Sequence, residues 1–153
     1  MRAIFASTVW IFFAGAMFAV PVAPAASLCD TVPASAVTAA LGAPRALTPE
    51  VESNGCTYRT GPGEQLKVNA VVEEDKGPVK TSFDSALQSI LFDKLPGVGD
   101  AAFTHSRQIG KEWSQLVQFR AKGKIVTLII TSYADALPTA KLTKLGVLFA
   151  SKL

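Results

Sequence analysis

The chain is poor in the residues that carry most enzyme chemistry. In 153 residues it has one histidine, His105, and two cysteines, Cys29 and Cys56. One imidazole with no cluster of acids or thiols around it gives no ligand set for a metal ion. No C-x-x-C pair is present, so a thioredoxin-like redox motif is excluded. Charge is scarce and scattered: the formal balance is +3, and Glu73-Glu74-Asp75 is the only short run of one sign. A nucleic-acid binder would show a basic stripe interleaved with aromatics, and this chain has none. No internal repeat, low-complexity tract or charged tail appears. The glycine-rich stretch Leu95-Pro96-Gly97-Val98-Gly99-Asp100 lacks the G-x-G-x-x-G spacing and opens a strand. No helix N-terminus would therefore face a phosphate there.

These gaps leave little room for catalysis. A nucleophilic triad needs a base beside its nucleophile. The sole candidate, His105, sits in an expected strand between Thr104 and Ser106. Carboxylates for acid–base work would come from Glu73, Glu74, Asp75, Asp84, Asp93 or Asp100, which fall at turns or on solvated faces. Asp100 is expected to hydrogen-bond loop amides, and Trp113 to be a core aromatic, with capping of a ligand pocket as its alternative. The reading is a protein that is not an enzyme and needs no cofactor or metal. The alternative is a small extracytoplasmic hydrolase pairing His105 with a carboxylate.

What the chain does have begins at its N-terminus. Arg2 precedes an apolar run over residues 4–20, followed by Pro21-Val22-Ala23-Pro24-Ala25-Ala26-Ser27. A basic start, an apolar core and small residues before a break make a secretory signal. Cleavage is expected after Ala25, Ala26 or Ser27; an uncleaved transmembrane anchor is the competing reading. Residues 1–26 are thus a cleavable signal peptide and residues 27–153 a single domain, periplasmic or secreted, with no stable membrane anchor after cleavage. The terminal Ser151-Lys152-Leu153 spells a peroxisomal address. On an exported chain it is read as coincidence, completing an amphipathic helix. Both cysteines lie in the exported part, where an even pair is most simply a disulfide. A redox pair and a two-cysteine metal site are the alternatives.

The remaining pattern is that of an antiparallel sheet with helices. Pro33 and Gly42 bracket a short helix carrying Ala34, Val37 and Leu41 on one face. Residues 43–54 contain two prolines and are expected to be a loop. Residues 56–60 and 65–74 read as a hairpin across Gly61-Pro62-Gly63, with Leu66, Val68, Ala70 and Val72 alternating onto one face. Val79, Phe83, Ala86, Leu87 and Ile90 then recur at helical spacing. After a strand at 101–106 comes the central hairpin, residues 112–132, turning at Lys122-Gly123. In its first strand Trp113, Val117 and Phe119 share one parity, with Gln115 the polar exception. The second, holding Ile125, Val126, Thr127, Ile129 and Ile130, suits a strand covered on both faces. Asp135-Ala136-Leu137-Pro138 is expected to start a C-terminal helix lined by Leu142, Leu145, Leu148 and Phe149. The fold class is α+β: an antiparallel sheet of about five strands, in the order α-β-β-α-β-β-β-α, with helices packed on it.

Three short motifs, in order, carry a resemblance: Cys29-Asp30 with a helix ending Ala40-Leu41-Gly42; Gly55-Cys56-Thr57-Tyr58; and Pro96-Gly97-Val98-Gly99-Asp100-Ala101-Ala102. From about Leu28 to its end the chain resembles a domain of unknown function found mainly in small exported lipoproteins of actinobacteria. The resemblance implies an extracytoplasmic α+β domain with Cys29 and Cys56 bridged. It implies no established activity and no catalytic residues. The chain departs from that family at Leu28, a bulky residue before Cys29 where a lipoprotein peptidase requires a small one. The expected role is therefore binding of an envelope protein or small apolar ligand, not of nucleic acid.

Overall fold

The structure, a computed structural model, describes residues 27–61 and 65–153. The signal peptide expected at residues 1–26 lies outside the described residues. Among the described residues no helix is long and apolar enough to cross a membrane.

The elements are α1 (Leu28–Thr31), α2 (Ala34–Leu41), β1 (Thr48–Glu52), β2 (Gly55–Arg59), β3 (Leu66–Glu74), α3 (Gly77–Gln88), β4 (Asp93–Lys94), β5 (Ala101–Ile109), β6 (Glu112–Ala121), β7 (Lys124–Ser132) and α4 (Thr139–Lys152). The strands form one antiparallel sheet in the order β1-β2-β3-β7-β6-β5-β4. The α+β class is as expected, but the sheet has seven strands in place of about five. The two extra strands lie at its edges. β1 falls in the stretch expected to be a loop, is exposed at all five positions, and includes Pro49. Without a buried face it has no alternation to reveal it, and pairing with β2 alone makes it a strand. β4 has only two residues.

One face of the sheet is dry. Tyr58, Val68, Ala70, Val117, Phe119, Val126, Leu128 and Ile130 are fully buried there, joined by Val37 and Leu41 of α2 and Leu142, Leu145 and Phe149 of α4. Burying each larger apolar side chain contributes roughly 1.5–3 kcal/mol, which makes this layer the main source of stability. The alternation in β3 and β6 is thus the cause of the register, because a one-residue slip would turn these side chains to water. At the tip of the central hairpin Lys122 (φ 50°) and Gly123 (φ 73°) both adopt left-handed backbone. That is the two-residue turn whose twist matches its strands.

The other face is only partly covered. α3 sets Phe83 over Phe103 and Ile125, forming a second, small cluster. Arg120 lies across the Phe83 ring at 4.8 Å and pairs with Asp75 and Asp84, each at 2.7 Å. Beyond this patch the face is open. β7 is therefore covered on both faces only at Ile125, and Ile129 is 42% exposed. The apolar stripe of α3 also stops short. The helix ends at Gln88 with Ser89 extended, the Ser89 hydroxyl accepts from Leu91 N at 3.2 Å, and Ile90 is 99% exposed. A serine that bonds the backbone locally ended the helix where the spacing alone would have continued it.

The glycine-rich loop proves to be part of the core. Leu95 and Val98 are buried, and Val98 packs into the space left by Gly146, where an added Cβ would lie 2.7 Å from Val98 Cγ1. Gly99 (φ +54°) passes so close to β6 that a Cβ would sit 2.2 Å from the Arg120 carbonyl oxygen. Asp100 differs from expectation: its backbone N–H donates to Arg120 O at 2.8 Å, while its side chain is exposed. At the N-terminus Ser27 and Asp30 form a capping box on α1. Cys29 and Cys56 form the disulfide, with Cα atoms 5.3 Å apart. Close by, the Tyr58 hydroxyl donates to Val32 O at 2.7 Å. Burial pushes that phenol up to about 12. These two links fasten the α1 segment to β2.

Two predictions follow from this frame. Reducing the disulfide, which spans a sequence separation of 27, should cost about 3–4 kcal/mol on the chain-entropy model; denaturant unfolding with and without reductant measures it. Hydrogen bonds from Lys80 and then Arg120 hold the Asp84 carboxyl below its ordinary range. A depressed folded-state value stabilises the protein above the unfolded value and loses that stabilisation as pH falls through the folded one. Melting temperature should consequently fall as the solution is acidified below about pH 4. Asp84→Asn should flatten that part of the profile while lowering the plateau at neutral pH.

Candidate functional site

A concavity lies at one end of the two layers. Here the C-terminus of α2, the segment entering β3 and the link from β7 to α4 converge on a cavity of about 280 Å³. Leu41, Leu66 and Leu137 supply apolar wall, while Arg45, Asp135 and Lys141 stand among its lining residues. Arg45 and Asp135 are exposed and Lys141 half-buried, which places the charges at the mouth.

Local chemistry builds each side. Gly42 (φ +58°) ends α2, its N–H returning to Ala39 O and Thr38 O. The chain then leaves as Ala43-Pro44-Arg45 along the cavity. On the opposite side the helix expected from Asp135 begins only at Thr139, with Pro138 as its N-cap. The residue before a proline is disfavoured in helical backbone, so Leu137 stays outside the helix and residues 135–137 become wall.

Leu137 is held by the polar exception of β6. Gln115 is 2% exposed; its Oε1 accepts from Leu137 N at 2.6 Å, and its Nε2 donates to Leu137 O at 3.0 Å and Ser106 Oγ at 3.0 Å. The amide therefore acts as a stand-in for a neighbouring strand, satisfying both backbone groups of one residue. The two buried hydroxyls of the lining are engaged as well. Thr60 Oγ1 donates to Leu66 O (3.3 Å) and accepts from Gln65 N (3.1 Å), and Ser132 Oγ accepts from Ala134 N (3.4 Å). With these groups occupied, the interior of the cavity presents mainly carbon.

The mouth is electrostatically uneven. α4 has no acidic residue in its first turn and no side-chain N-cap, and it carries Lys141 there. Helix N-termini favour anions, and the lysine of that turn carries its ammonium away to the C-terminus of α2, where a cation is favoured. Lys141 Nζ reaches over the end of α2, within 3.5 Å of where a Cβ on Gly42 would lie. Among the described residues neither Arg45 nor Lys141 is ion-paired.

The other sequence candidates lie elsewhere and do not converge. His105 is on β5, on the open face of the sheet. Its Nδ1 is 3.1 Å from Leu91 O, so that nitrogen carries the proton, and its ring meets Phe92 edge-on at 5.5 Å. Arg107, Ser114, Leu116 and Ile129 share its shallow hollow of about 210 Å³, without a carboxylate. Glu74 pairs with Lys124 at 2.8 Å, and Asp75 and Asp84 with Arg120, so these acids serve structure. Cys29 and Cys56 are bridged to each other. Among the described residues no group of three or more His, Cys, Asp or Glu could hold a metal ion. Trp113 is half-buried; it joins neither the core clusters nor the cavity lining. Sequence offered one usable signal, the buried-parity Gln115, which lies behind the lining and holds Leu137. Arg45 and Lys141 looked like ordinary loop and helix cations. No protein-family model matches the chain, and no curated protein matches it.

Replacing Gln115 by leucine keeps volume but leaves Leu137 N–H and C=O without partners. Unfolding in denaturant should show Gln115→Leu less stable by about 2–3 kcal/mol, the usual penalty for stranding buried polar groups. The loss should come with faster amide exchange at Leu137.

Proposed function

We propose that this chain is an exported, disulfide-bonded binding module, not an enzyme, that holds a small and mainly apolar ligand between its sheet and helices. The cavity at the α2–α4 end is the observation that carries the reading. Its size is near the lower end of the usual range for small-ligand sites, roughly 300–1,000 Å³. Its walls are preformed, because Gln115 fixes Leu137 and Gly42 fixes the exit from α2. The disulfide belongs to an oxidising compartment, and the basic, apolar and small-residue pattern of residues 1–26 supplies the export route. The resemblance to the exported actinobacterial domain family points to the same setting. Leu28, in the place of a small residue, favours release into the periplasm or medium over lipid anchoring.

The hydrolase reading rests on His105, whose ring is spent on a backbone carbonyl and an aromatic edge, with no carboxylate bonded to it among the described residues. The test is native mass spectrometry of protein recovered from its own envelope or medium without reductant. The expected result is a chain cleaved near Ala26, lacking two hydrogens and carrying a small extra mass lost on denaturation. His105→Ala should retain that mass. Recovery of a chain without any bound species, together with hydrolytic turnover abolished by His105→Ala, would overturn the proposal.

A further inference from the structure

We propose that the cavity selects an anionic amphiphile, its chain against Leu41, Leu66 and Leu137 and its charged head at Arg45 and Lys141. This deepens the binding reading and rests on it. Two features of the mouth agree. Two cations, each without an ion pair among the described residues, line a mainly apolar cavity. The N-terminus of the 14-residue helix α4 opens beside it without an acidic residue or side-chain cap. Lys141 belongs to the first turn of that helix, and its ammonium reaches across the mouth to the end of α2. An anion at the mouth accepts from these cations while meeting the positive end of the helix. Among the described lining residues the one opposing group is Asp135, an exposed carboxylate. The described lining then carries two positive charges against one negative.

The carbon-lined interior sets the rest of the ligand. About 280 Å³ accommodates on the order of ten non-hydrogen atoms at the ~30 Å³ share of a molecule in a liquid such as water. A free inorganic anion would leave Leu41, Leu66 and Leu137 uncovered, and a neutral hydrocarbon would leave the cations unanswered. A carboxylate or phosphate head on a medium-length chain satisfies both.

The test uses four eight-carbon probes, octanoate, octyl phosphate, octanol and octylammonium, titrated into the oxidised protein and followed by amide shifts at Leu66, Leu137 and Lys141. Octanoate or octyl phosphate should bind about tenfold more tightly than octanol, and octylammonium more weakly still. Arg45→Gln and Lys141→Gln should each weaken anionic probes about three- to fivefold, the range of one partly exposed charge contact, with octanol unchanged. Asp135→Asn should strengthen them. A preference for octanoate over octyl phosphate would indicate a fatty-acid-type ligand, and the reverse a phosphate-headed lipid fragment. Equal binding of all four probes would overturn the charge selection and leave the cavity reading intact. Failure of every probe to shift these amides would overturn both.

Discussion

The structure depends on keeping one face of a seven-stranded sheet dry. Val68 and Ala70 of β3, Val117 and Phe119 of β6, and Val126, Leu128 and Ile130 of β7 must point the same way, against α2 and α4. That requirement determines the register of the three central strands and leaves no place for α2 and α4 except across that face. The N-terminal segment is fastened to the same layer by the Cys29–Cys56 bridge and the Tyr58 hydroxyl. Val98, fitted against Gly146, closes the space between the sheet and α4. The second face carries less of the stability. It has one helix, a three-residue core and an ion-pair cluster around Arg120.

The cavity is a consequence of the same packing. The chain has to pass from the last strand to the last helix at the end of the dry face, and Pro138 prevents the helix from beginning early. The extended segment so created exposes backbone N–H and C=O groups where no strand can pair them. Gln115 meets them from β6, which accounts for a polar residue at an apolar position. The hollow left between this segment and the end of α2 is walled by leucines and bordered by unpaired cations. Structural necessity and a usable binding site thus arise from one connection.

Much of the fold was legible because most of its elements bury one face. Alternation in 65–74 and 112–121, helical spacing before α4, and the Lys122-Gly123 turn each report a local constraint that acts on neighbouring residues. The misses are the elements without such a face. β1 is exposed at every position, β4 has two residues, and α1 has four. Ile90 was misplaced for a related reason: its spacing is helical, but the helix ends through a serine–backbone bond that periodicity does not register. The site was legible only at Gln115, whose polarity conflicts with its parity.

By itself the sequence determined the class of fold, the dry face of the central strands and the pairing of its only two cysteines. Each follows from residue type and from spacing within a few positions. Tertiary structure alone decided that seven strands pair, that one sheet face stays largely open, and that Arg45 and Lys141 line one leucine-walled cavity. Those two cations are separated by nearly one hundred residues in the chain. Their meeting depends on how α2 and α4 cross the sheet, a long-range result of packing that no local pattern of charges encodes.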